Sequence, residues 1–142
     1  MTDTIIGAIQ TYIKTYAGLP TGAPVWIDFM GGTAPEYAII TQPGSRTLET
    51  YIDGSKLRAY SFAFQATVQT EADAKRLEAS GFFEAFAAWL DAQTEAGVLP
   101  TLGTGKTAES VKSQTWGFLF EQGPSGTGLM QIQCQLEYTE AA

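Results

Sequence analysis

The chain predicts an α+β fold: a mostly antiparallel sheet of about six strands, packed by an N-terminal helix and a central Phe/Trp-rich helix. Three stretches carry that prediction. In Lys56–Val68, KLRAYSFAFQATV, the even positions Arg58, Tyr60, Phe62, Phe64, Ala66 and Val68 are largely aromatic or aliphatic. The odd positions Leu57, Ala59, Ser61, Ala63, Gln65 and Thr67 are mostly small or polar. A side-chain period of two belongs to a strand with one packed face and one nearly free. Leu129–Glu140 alternates more cleanly, with Met130, Ile132, Cys134, Leu136 and Tyr138 toward a core and Gln131, Gln133, Gln135 and Glu137 away from it. Between these stretches, Phe82, Phe83, Phe86, Trp89 and Leu90 recur at helical spacing and give one wide apolar face.

Taken in order, Asp3–Tyr16 predicts a helix with an apolar stripe of Ile5, Ile9, Tyr12, Ile13 and Tyr16. Thr2 or Asp3 would cap it, and Gly18 with Pro20 would end it. Val25–Phe29 reads as a short strand, Met30–Pro35 as a loop, Glu36–Gln42 as a second strand closed by Pro43-Gly44, and Arg46–Ile52 as a third. Asp53-Gly54 tolerates the positive φ angles of a tight hairpin turn and leads into the Lys56 strand, so the succession predicts an antiparallel meander. Glu71–Ala96 reads as helix in two pieces. Thr70 or Asp73 would cap the first, Ser80-Gly81 would interrupt, and Gly97 would stop the second. Val98–Ala108 reads as a loop. Glu109–Glu121 predicts a strand whose Trp116, Phe118 and Phe120 pack one way, and Gln122–Gly128 a long hairpin connection to the last strand. No internal repeat or linker divides the 142 residues, which read as one domain.

Composition narrows the chemistry. A hydrophobic content of 44% and a charged content of 16% describe a folded chain. The net charge is −7, from 8 basic and 15 acidic residues, and no basic cluster exceeds the pair Lys75–Arg76. Wrapping nucleic acid needs clustered basic side chains facing phosphates, and anionic membranes are disfavoured by the same sign. No apolar run approaches a membrane span, and no basic region followed by an apolar core opens the chain, so the expected compartment is a cytoplasm. Cys134 is the single cysteine, and histidine is absent. Internal disulfides, Ser-His and Cys-His nucleophile pairs and the commonest zinc ligand are thereby removed.

The motifs favour bland readings. Gly103–Thr107, GTGKT, matches only the end of a phosphate-binding P-loop: the first glycine of that motif would fall at Pro100. A helix also precedes it and a strand follows, the reverse of what phosphate binding at a helix N-terminus needs. Cys134 shares a packed face with Ile132 and Leu136 and has no activating histidine. The carboxylates Asp28, Glu36, Glu49, Asp53, Glu84, Asp91 and Glu137 show no spacing that forces a catalytic pair. The row Gln131, Gln133, Gln135 reads as a solvated face, or alternatively as a polar surface for another subunit. No catalytic, cofactor-binding or metal-binding residue is predicted.

Three stretches together resemble a known family. They are YIDGSKLRAYSFAFQA from Tyr51, FFEAFAAWLDAQTEAGVLPTL from Phe82, and a strand hairpin ending in IQCQLEY. In these features and their order the chain resembles the tail terminator, or minor capsid, proteins of long-tailed bacteriophages (siphophages and prophages). The resemblance covers about the last two-thirds of the chain. It implies a non-enzymatic assembly protein without cofactors, which forms a ring, usually hexameric, on the last ring of the tail tube. Its partners would be further copies of itself, the tail-tube protein and the head connector or stopper. DNA would pass through the lumen without specific binding, and no membrane would be involved. The expected location is the virion tail or neck, assembled in the bacterial host cytoplasm. The alternatives are another neck or tail component, such as a head-completion or tube protein, and a small-molecule-binding domain or enzyme with a pocket between helix and sheet. The expected assembly contacts are the projecting turn Asp53, Gly54, Ser55, Lys56 and Arg58, and the glycine-rich connection with Gly123, Gly126 and Gly128.

Overall fold

The computed structural model describes residues 4–19, 25–27, 36–44, 46–69, 72–122 and 126–142. These form helices α1 (Ile5–Ile13) and α2 (Asp73–Ala96) and seven strands: β1 (Val25–Ile27), β2 (Glu36–Thr41), β3 (Thr47–Thr50), β4 (Lys56–Gln69), β5 (Lys106–Ser113), β6 (Phe118–Gln122) and β7 (Thr127–Glu140). The strands make one mixed sheet, an α+β arrangement as predicted. Every pairing is antiparallel except β1 with β2.

The two stretches with the clearest alternation are the two central strands. β4 and β7 are each 14 residues long and pair from Lys56↔Glu140 to Gln69↔Thr127 without a register shift. Their inward faces bring Phe62, Phe64 and Ala66 beside Ile132, Cys134 and Leu136, all buried. The helices close over this face with Ile9, Ile13, Phe83, Phe86 and Leu90. Phe64 is the hub. Its ring centroid lies 4.5 Å from that of Phe86, 5.7 Å from Tyr37 and 6.1 Å from Phe83.

The predicted meander is not formed. β2 and β3 do not pair with each other; both lie antiparallel along one side of β4, β2 opposite Phe62–Thr67 and β3 opposite Lys56–Arg58. Pro43-Gly44 interrupts a strand rather than reversing it. Proline has no N–H for the ladder, and Gly44 passes so close to β4 that a Cβ there would sit 2.5 Å from Ser61 Oγ. The predicted strand Glu109–Glu121 is likewise two strands. β5 begins earlier, at Lys106, after Gly105 turns the chain at φ +82°. The strand breaks after Ser113, where Gly117 lies against α2. Each central strand therefore carries two shorter strands in line on its outer side.

The helices also differ in extent. α1 is shorter than Asp3–Tyr16, and its cap is Thr4, whose Oγ1 accepts a hydrogen bond from Gly7 N at 3.1 Å. Thr2 and Asp3 lie outside the described residues, as do Met30–Pro35 and Thr70. α2 is one unbroken helix of 24 residues, with Ala72 at its N-cap, and it ends at Gly97, φ +77°. There Val98 N donates to Gln93 O and Gly97 N to Thr94 O, closing the last turn. Gly81 does not interrupt it, because about 1 kcal/mol of glycine cost is small beside the burial of the Phe83–Leu90 face. A Cβ at Gly81 meets nothing within 4 Å. Gly81→Ala should therefore stabilise the protein by about 0.5–1 kcal/mol, read as a higher melting temperature.

The far face of the sheet is less open than the period-two pattern predicts. Ala59, Ala63, Gln65 and Thr67 are buried, and Gln131 is only 2% exposed. The solvated reading of the glutamine row thus fails at Gln131, while Gln133 and Gln135 are half-buried. Gln65 Nε2 donates to Gln131 Oε1 at 2.6 Å across the central strands, and Gln114 Nε2 to Gln135 Oε1 at 2.9 Å. Cys134 is fully buried as expected, and burial pushes its thiol well above the ordinary range.

Candidate assembly surfaces

The hairpin between β3 and β4 is built by its own polar groups. Tyr51 N donates to Ser55 O at 2.8 Å and Gly54 N to Tyr51 O at 3.0 Å. Gly54 is left-handed, at φ +91°, and with these two bonds it gives a three-residue loop with a glycine bulge rather than a two-residue turn. Asp53 Oδ1 accepts from Ser55 Oγ at 2.6 Å and from Ser55 N at 2.9 Å. The Ser55 hydroxyl first, and then its backbone N–H, hold the Asp53 carboxyl below its usual range. Asp53 and Gly54 are exposed, and Ser55 and Lys56 are half-buried.

Arg58 does not project as predicted. Its Nε donates to Glu140 Oε1 at 2.7 Å and its Nη1 to Thr47 Oγ1 at 2.9 Å, leaving 12% of the side chain exposed. It clamps β3 and β7 onto β4. The guanidinium is therefore engaged within the subunit.

The second predicted surface lies at the opposite end of the sheet. Lys56 pairs with Glu140 at one end and Gln69 with Thr127 at the other, a separation on the order of 45 Å. Gly126 turns the chain there at φ +72°, and Gly128 is buried between Val68 and Gln122 in the ladder. Gly128 is thus part of the sheet and not of a projecting loop. Gly123 lies outside the described residues.

The sequence pattern missed an exposed apolar surface. Trp116, Phe118 and Phe120 do not pack into the core, and with Leu119 they stand out at β6. At the other end of the sheet Leu48, Tyr51 and Ile52 are exposed on β3 and its turn. The run WGFLF itself was the available signal: five residues without a polar one cannot alternate.

Elsewhere, a groove of about 660 Å³ lies between α1 and Val98–Gly103, with Thr4, Gln10, Thr11, Tyr12, Leu99 and Pro100 along it. Its described lining carries no charged side chain to serve as an acid or base. Tyr12 Oη is spent on a hydrogen bond to Val98 O at 2.8 Å. Among the described residues no three His, Cys, Asp or Glu side chains gather as a metal site. Lys106 of GTGKT opens strand β5, so no helix N-terminus follows that motif. No helix among the described residues is long and apolar enough to cross a membrane. Neither the family models nor the curated proteins compared with this chain give a match.

Proposed function

We propose that this chain is a bacteriophage virion assembly protein of the tail-terminator kind, which caps the tail tube as a ring, stops its growth and offers a surface for head joining. The observation that carries the reading is the resemblance of Tyr51–Ala66, Phe82–Leu102 and the final IQCQLEY to that family. What supports it further is that these stretches include much of β4, α2 and β7, the elements that build the core. The proposed role is structural and uses no cofactor. The partners are other copies of the chain, the tail-tube protein below and the head connector or stopper above. A net charge of −7 suits a ring through which DNA slides. A terminator must end one lattice and begin another, which a ring with two unlike faces does without catalysis.

Deleting the gene from its phage or prophage tests the proposal. The expected result is tails of uncontrolled length, or tubes that never join heads, while DNA-filled heads are still made. Normal tails on normal virions would overturn it, together with the related reading as another neck or tail component.

A further inference from the structure

Two exposed strands occupy diagonally opposite corners of the sheet: β6, which is apolar, and β3, which is polar but for Leu48 and is followed by the exposed Tyr51 and Ile52 of the turn. At the outer side of β7, Trp116, Phe118, Leu119 and Phe120 are 73, 37, 47 and 53% exposed. Phe118 stands opposite Gln131 and Leu119 opposite Met130, so the exposed side chains occupy both faces of β6. A strand apolar on both faces is suited to cover on both. At the outer side of β4, every residue of β3 is exposed, Leu48 by 43%, and the turn beyond lifts Ile52 wholly into solvent. Among the described residues neither β3 nor β6 has a strand on its outer edge. A bare strand edge is a template for pairing through its free backbone groups, and an apolar one such as β6 aggregates unless a partner takes it up.

We propose that β6 of one copy adds to β3 of the next, continuing the sheet from subunit to subunit. The polarity fits. β3 and β6 run antiparallel to β4 and β7, which are antiparallel to each other. Two copies side by side in the same orientation therefore present β6 and β3 antiparallel. The strands match in length, four residues against five. They are offset along the sheet, since β3 pairs near Lys56 and β6 near Gly128, and a stagger between neighbours is what a sheet closing around an axis requires. Each corner exposes apolar side chain on the order of 400 Å². Mating them removes on the order of 800 Å² before the flanking backbone is counted, approaching the smaller specific interfaces. The occupant is a second copy because the corners are unlike and each is the other's counterpart. A two-fold contact of β6 with β6 would leave the β3 corner bare, whereas the heterologous contact uses both and repeats head to tail. The inference deepens the ring reading above and rests on it for closure.

The test is disulfide trapping of the full chain carrying Glu49→Cys and Phe120→Cys, both at exposed positions. Cys134 is fully buried and takes no part. Under mild oxidation at millimolar protein, the double variant should give a ladder of multimers on a non-reducing gel. Each single variant should stay monomeric, and a mixture of the two should stop at dimers. Adding Leu119→Lys should weaken the ladder about tenfold or more while circular dichroism is unchanged. No ladder from a folded double variant, or a dimer from Phe120→Cys alone, would overturn the contact. A ladder combined with normal tails after gene deletion would retire the terminator reading and keep the contact. A deletion defect without a ladder would do the reverse.

Discussion

Phe64→Ala should lower the unfolding free energy by about 3–5 kcal/mol, the largest single-site loss expected in the chain. Phe64 is fully buried, near the middle of the longest strand pairing, with Ile39 opposite it on β2 and Ile132 on β7. Its ring meets Tyr37 from the sheet and Phe82, Phe83 and Phe86 from α2. Truncation removes the transfer energy of the ring and leaves a cavity whose walls belong to three strands and a helix, which cannot all collapse into it. A single domain has about 5–15 kcal/mol in total, so the variant sits near its threshold. Urea denaturation measures the loss, and a change under about 1 kcal/mol would mean that the helix and sheet are not packed through this ring.

Gly117→Ala should cost about 1–3 kcal/mol, although it adds one methyl group. A Cβ at Gly117 would lie 2.5 Å from Phe83 Cβ and 2.7 Å from its Cγ. The Phe83 Cβ is fixed by the α2 backbone, so rotating the ring away would still leave the 2.5 Å contact. The chain between β5 and β6 must lift away from the helix, and β6 with it. Hydrogen exchange should therefore accelerate first at Phe118–Gln122, ahead of the central strands. The contrast with Gly81→Ala is the control: the same substitution in the same protein, with opposite sign, decided by what lies beyond the missing Cβ. Unchanged stability in Gly117→Ala would show that the backbone does not approach α2 as described.

The elements legible in the sequence are those whose pattern is local. β4 and β7 announce themselves by alternation over more than ten residues, and α2 by its Phe/Trp stripe. Strand partners are not local. Glu36–Gln42, Pro43-Gly44 and Arg46–Ile52 look like a strand, a turn and a strand whether the turn reverses the chain or merely interrupts one edge. Only the shared neighbour β4 decides. Periodicity also states which side a residue faces, not whether anything covers that side. Gln131 looked solvated and is buried against Gln65, and Trp116 looked packed and is exposed. At the candidate surfaces the Asp53-Gly54-Ser55 turn was readable, because its hydrogen bonds close within four residues. The engagement of Arg58 was not, since Glu140 lies 82 positions away in the chain.

The proposed role places this protein as a single ring at the head-proximal end of a phage tail. Gold-labelled antibody against the chain, applied to isolated tails and viewed by electron microscopy, tests it most directly. Label is expected at one end of each tail only, on the end that joins the head, with the tube itself unlabelled. Label spaced along the tube, or tails free of label from a preparation in which the protein is expressed, would contradict it.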